Sequence, residues 1–172
     1  MLFTDISISS NLSNIVPILT SSVIVDLLVM FITLNFAKSI FLKKWYKTYN
    51  LSAVLADVLS VVIGIMIARY IYSYFFNEWS LWKFLLIVLA VQITHDILFY
   101  IIFSLIPRGS SEIMDLFKDY AKELGGFAIF GDSLIMISTV LIASLLSSLN
   151  MNMNLFILAW AVYLIPYFVY SF

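Results

Sequence analysis

Asp26, Asp57, Asp96 and Asp132 each fall inside a long apolar stretch, and His95, the only histidine, directly precedes Asp96. A carboxylate at the centre of a membrane helix costs about 2.5–3.5 kcal/mol on insertion scales. Four of them cannot face lipid, so they must face one another, water or hydrogen-bond donors. Two readings of Asp57, Gln92, His95, Asp96 and Asp132 stand side by side. In the first, the set is a buried polar core whose hydrogen bonds fix which helices pack and in what register. In the second, it is a proton or cation relay, because ionisable groups inside membranes mark such pathways and an imidazole titrates near neutrality. One histidine and three aspartates could also ligate a metal, but no ligand-spacing motif supports one and no cofactor is expected.

Catalytic spellings fail on context. Phe130-Gly131-Asp132-Ser133-Leu134 spells the nucleophile block of the GDSL esterases. That chemistry needs a serine after a strand and a histidine downstream. Here the block opens an apolar segment and His95 lies upstream. His95-Asp96 with Ile129-Phe130-Gly131-Asp132 imitates the paired motifs of intramembrane aspartyl proteases, but both motifs are broken at the first letter. No enzyme is expected.

The elements that must position these groups are membrane helices. Of 172 residues, 63% are hydrophobic and 11% charged, against about 45–50% and about 25% in soluble domains. Mean hydropathy is +1.08. The net charge of −1 argues against nucleic acid, and the absence of cysteine removes disulfides and thiolate chemistry. No basic region opens the sequence, so a cleaved signal peptide is not expected. A span needs about 20 apolar residues, which predicts five: 16–42, 51–76, 80–106, 126–149 and 153–171. The fold class is all-α, a polytopic transmembrane bundle forming one domain, with no internal repeat. Residues 110–124 carry Ile113, Met114, Phe117, Ala121 and Leu124 on one face and Glu112, Asp115, Lys118, Asp119 and Lys122 on the other. They predict an amphipathic helix lying in the membrane interface, capped by Ser110 or Ser111. Met151–Asn154 reads as a short loop.

Helical spacing puts the acids on seams of small or polar residues: Ser22, Asp26, Thr33 and Ala37; Ala53, Asp57, Ser60, Gly64 and Ala68; Gln92, His95, Asp96, Phe99 and Phe103; Ala128, Asp132, Met136, Thr139 and Ala143. The fifth span lacks such a seam and should pack outside. Asp57 and Asp132 lie about 8–10 Å, and Asp96 about 15 Å, from one membrane face. Asp26 and Arg69 lie towards the other, where an ion pair between them is an open alternative to Arg69 snorkelling outward. Lys38, Lys43, Lys44 and Lys47 flank the first loop, while Arg108, Lys118 and Lys122 fall in the third. The positive-inside bias makes these loops cytoplasmic, with the N-terminus outside and the C-terminus inside.

Phe41-Leu42-Lys43-Lys44-Trp45-Tyr46, Ala56-Asp57-Val58, Thr94-His95-Asp96-Ile97-Leu98-Phe99-Tyr100, Pro107-Arg108-Gly109, Phe117-Lys118-Asp119-Tyr120-Ala121-Lys122-Glu123 and Gly131-Asp132-Ser133 form one set across about residues 40–145. It resembles an uncharacterised multi-span membrane protein of the large nucleocytoplasmic DNA viruses, the giant viruses. The resemblance implies a component of a virion or virus-derived membrane and supplies no catalytic residues. The expected partners are the lipid bilayer and other membrane or capsid proteins, met through the 110–124 helix and the 43–47 basic loop. Cysteines introduced at Lys47 and Asp115 should be labelled from the same side of the membrane. Labelling from opposite sides would exclude the five-span arrangement.

Overall fold

Long apolar runs become helices here because lipid offers the backbone no other partner. The computed structural model describes residues 3–170, and its regular elements are helical. A 3-10 turn at Leu12–Asn14 leads into α1 (Ile15–Phe36), followed by α2 (Ile40–Tyr49), α3 (Leu51–Phe75), α4 (Leu81–Leu105), α5 (Glu112–Leu124), α6 (Gly126–Leu146) and α7 (Met151–Val169). Five helices are long and apolar enough to cross a membrane: Leu12–Phe36, α3, α4, α6 and α7. Pro17 sits in the first turn of α1, where a missing N–H breaks no helical bond.

The first expected span, 16–42, divides in two. α1 stops at Phe36, and Ser39 starts α2 by accepting from the Leu42 N–H at 3.1 Å. The residues that follow place Lys43, Lys44 and Lys47 on one side and bury Trp45 and Tyr46 on the other. Such a stretch cannot continue into lipid, so the chain turns across the end of the bundle. The expected interfacial helix is α5, capped by Ser111, and it packs against α2. Met151–Asn154 is the first turn of α7 rather than a loop, because Asn150 accepts from the Met153 N–H at 2.9 Å. α7 ends at Val169, so residue 171 of the expected fifth span lies outside the described residues.

The expectation of no internal repeat is overturned. Helix, amphipathic helix and helix occur twice in the same order, as α1–α2–α3 and α4–α5–α6. One residue joins the amphipathic helix to the next span in each unit. Asn50 has φ 48°, ψ −123° and Gly125 has φ 54°, ψ −132°. This positive-φ region is open to glycine and strained for asparagine. Asp57 follows Asn50 by seven residues, and Asp132 follows Gly125 by seven. Burial repeats too: Ile65 with Val140, Ala68 with Ala143, Arg69 with Ser144, Ile18 with Val88 and Thr33 with Phe103 are all buried. Within units α1 packs on α3 and α4 on α6, and between units α1 packs on α6 and α3 on α4. The four spans therefore form a ring related by an approximate two-fold axis along the bundle, the arrangement of parallel membrane repeats. α7 has no counterpart and packs chiefly on α1. The repeat escapes the sequence because it is kept in burial and backbone geometry, while side-chain identities have diverged.

Each end of the ring has its own cover. At one end, α2 and α5 are joined by Glu123, which accepts from Ser39 Oγ at 2.5 Å and from the Ile40 and Phe41 N–H groups at 2.9 and 3.4 Å. Partial desolvation works to raise the Glu123 carboxyl, but these donors hold it below its usual range. It stays charged and caps α2 from α5. At the other end the N-terminal segment lies across the helices, with Ile6 buried beside Tyr72 and Phe84. Glu123→Gln should leave the spans intact while loosening α2. Hydrogen exchange should show faster α2 amides with unchanged α6 amides, and unchanged α2 protection would mean that Glu123 is not the joint.

Candidate functional site

The polar interior occupies the end of the ring under α2 and α5. Its parts follow from the repeat. The span after each hinge brings Asp57 or Asp132 inward nearly two turns past its start, and the amphipathic helix before each hinge turns a large polar aromatic towards the same layer. In the first unit that aromatic is Trp45, whose Nε1 donates to Asp57 Oδ2 at 3.0 Å. In the second it is Tyr120, which lies among Asp132, Asp57 and Asp96. Burial first, and then those three charges, push the Tyr120 phenol above its usual range, so it remains a neutral hydroxyl.

Asp26 is buried in α1 and accepts from the Tyr46 hydroxyl at 3.3 Å. Tyr46 also faces Asp57. Burial, then Asp57 and Asp26, raise its phenol well above the ordinary value, which keeps its proton available to donate. α2 thus supplies a side-chain donor to each acid of its own unit. In α4, Asp96 Oδ1 takes the Gln92 Nε2 donor at 2.7 Å and lies 3.2 Å from His95 Nδ1. Asp132 stands within the electrostatic reach of Asp96, Asp57 and His95. Asp57, Gln92, Asp96 and Asp132 are half-buried, and the three acids interact with one another in the same half of the ring.

His95 departs from the expectation of a buried core residue. Its side chain is 54% exposed on the flank of α4, and the ring stacks on Phe99 with centroids 5.9 Å apart. It lies 60° in helical phase from the Gln92 face, by about 100° per residue, and its contact with the acids within hydrogen-bond distance is with Asp96. Ser60, expected on the interior seam, is also exposed and bonds back to the Asp57 carbonyl at 2.8 Å.

The alternative ion pair of Asp26 with Arg69 does not form. Asp26 turns to Tyr46, while Arg69, wholly buried and not snorkelling, belongs to the other end. Its Nη2 donates to the Ile8 and Asn11 carbonyls, the second at 2.7 Å, and Nη1 lies 3.2 Å from Met66 Sδ. The repeat-related Ser144 donates to the Thr4 carbonyl at 2.5 Å, and Thr4 N donates to the Ser144 carbonyl at 3.2 Å. Both units therefore use the same position to hold the N-terminal segment. A guanidinium offers five N–H donors, and the loop carbonyls of a folded-back segment are the acceptors that satisfy some of them. A buried arginine in the sequence signals that an acceptor exists, but its source is tertiary.

Between the two polar ends lies an apolar layer. Ile65, Ala68, Val88, Met136, Val140 and Ala143 are buried there, and the polar group among them is the buried hydroxyl of Thr139, which has no hydrogen-bond partner among the described residues. Met136, one turn beyond Asp132, reaches across the ring to Gly64, where an added Cβ would stand 3.1 Å from its methyl. Only glycine leaves the thioether this room. Among the described residues no three His, Asp or Glu side chains converge closely enough to share a metal ion.

The residues that sequence reasoning missed are Trp45, Tyr46 and Tyr120, which it gave no part in the polar interior. Their signal was an indole or phenol placed on the apolar face of an amphipathic helix, where a polar tip needs a partner. Tyr46→Phe strands the Asp26 carboxylate and should cost about 1–3 kcal/mol, the usual penalty for a buried group left unpaired. Thermal unfolding in detergent should show the loss, and Asp26→Leu in the same chain should recover most of it. A Tyr46→Phe protein as stable as the parent would dismiss the clamp. No family model, curated protein or solved structure matches this chain.

Proposed function

We propose that the chain is a non-enzymatic, multi-pass integral membrane protein that serves as a scaffold. The observation that carries this reading is the use made of the acids: Asp26 and Asp57 are occupied in holding α2 to the ring through Tyr46 and Trp45. Buried polar groups used in this way specify one packing arrangement. The product is a rigid plate of two amphipathic helices at one end, with lysines, an arginine and carboxylates on its outer side. Such a plate suits contact with other proteins at a membrane surface. The positive-inside bias would make that face cytoplasmic, or interior in a virion. The resemblance to giant-virus membrane proteins would place the scaffold in a viral or host-derived membrane, with capsid or other membrane proteins meeting the 110–124 helix and the 43–47 basic loop.

The apolar layer favours this reading over conduction, since a conductor needs polar groups along its whole length. A second reading, a proton or cation pathway through Asp57, His95, Asp96 and Asp132, draws on a specific observation. Asp26 Oδ2 and Asp96 Oδ2 are both buried without a hydrogen-bond partner, each nine or ten residues before the end of its helix. Orphan oxygens at corresponding places are where protons would bind.

Purified protein in liposomes under an imposed potential distinguishes the two. The scaffold should pass neither protons nor monovalent cations. Flux from inserted protein that disappears in Asp96→Asn would overturn it in favour of the pathway.

A further inference from the structure

The ring leaves one cleft that neither the acids nor the N-terminal segment uses. It lies between the last turn of α4 and the outward face of α5, with a volume of about 600 Å³. Its lining divides by chemistry: Tyr100, Phe103 and Leu105 form one wall, and Arg108, Lys118 and Lys122 project from the other. No carboxylate lines it. The cations are instead held from outside. Arg108 Nη2 donates to Asp119 Oδ1 at 2.7 Å, and Lys118 donates to the Ile106 carbonyl with Asp115 Oδ1 at 3.7 Å. Asp115 also accepts from the Gly109 N–H at 2.7 Å, which fixes the turn carrying Arg108. Lys122 has no ion pair within 4.0 Å among the described residues.

We propose that this cleft binds an anionic phospholipid, with the phosphate among Arg108, Lys118 and Lys122 and an acyl chain along Tyr100 and Leu105. Position argues for a lipid. The cleft begins where the apolar span of α4 ends, which is the level of the headgroups, and its apolar wall opens towards the bilayer, with Tyr100 56% and Leu105 78% exposed. Charge argues for an anionic lipid. Three cations face the cleft and only two of them form an ion pair within 4.0 Å among the described residues, so a phosphate is attracted while the ammonium of a zwitterionic headgroup is repelled. Lysine and arginine beside a membrane are known to draw acidic lipids. The repeat supplies an independent observation: Lys38, Lys43 and Lys47 occupy the corresponding places after α1 and along α2. A triad of cations at the inner end of each unit has thus kept its charge where most identities have changed.

The test uses the full chain in detergent with native mass spectrometry to count retained lipid. Probes are phosphatidylglycerol, phosphatidylcholine, and the soluble sn-glycerol 3-phosphate and inorganic phosphate. Phosphatidylglycerol should bind more tightly than phosphatidylcholine, and Lys122→Gln should weaken it about five-fold, the weight of one basic residue near an anionic surface. Lys83→Gln, at the far end, should not. Unchanged thermal unfolding of Lys122→Gln in phosphatidylcholine micelles shows that folding is intact. Equal retention of the two lipids, or full retention by Lys122→Gln, would overturn the proposal. Binding of the soluble phosphates as tight as that of the lipid would also overturn it, by making the cleft a site for free anions.

Discussion

The rest of this structure depends on a single constraint: a carboxylate inside a membrane helix must find a donor. Hydrocarbon supplies none, and the cost of leaving the group unpaired exceeds what most single contacts return. For Asp26 and Asp57 the donors come from α2, a helix that never crosses the membrane. The tyrosine and tryptophan carry their polar tips on bodies apolar enough to enter the bundle. The acids therefore decide more than helix pairing, since they draw an amphipathic helix off the membrane surface and onto the end of the ring. Glu123 then ties α5 to the N-terminus of α2, so both covers move as one piece.

The two-fold repeat explains why two acids per unit are needed and where each sits. A hinge residue in the left-handed region turns the chain from surface to span, and nearly two turns of helix later an aspartate points inward. At corresponding positions an indole donates to Asp57 and a phenol lies within the electrostatic reach of Asp132. The units have diverged in detail. Asp26 is closed by a tyrosine from outside its helix, whereas Asp96 is closed by Gln92 from its own and by its neighbour His95. The second unit is consequently looser at its inner end, with a histidine on its flank and a cleft beside its amphipathic helix.

The opposite end obeys the same rule with reversed sign. A buried guanidinium needs acceptors, and the backbone carbonyls of the N-terminal segment provide them. Arg69 and Ser144, at equivalent places, hold that segment across the ring. Between the acidic end and the arginine end, the Met136–Gly64 contact and its apolar neighbours keep the two polar layers apart. Opposite charges so placed do not neutralise each other; each takes its hydrogen bonds from its own end of the ring.

Sequence alone was enough for the five spans, for α5 and for most of the faces they hide. Hydrophobic runs of span length, small residues at steps of three and four, and serines at helix starts are local signals, and lipid leaves the backbone little choice. It placed Asp57, Asp96 and Asp132 in the same half of the bundle, because depth follows from counting residues along a helix. Tertiary structure alone decided the partners. Nothing near Asp26 in the chain says that Tyr46 will reach it, and nothing near Arg69 points to Ile8 and Asn11. The break at Ala37–Ser39 was visible only as a serine before three lysines, and was outweighed by the apolar run around it. Asn50 and Gly125 perform one task with two residue types, so the repeat they anchor is written in backbone angles and burial. Hydrogen-bond partners depend on which surfaces meet, and that is settled when the whole ring packs.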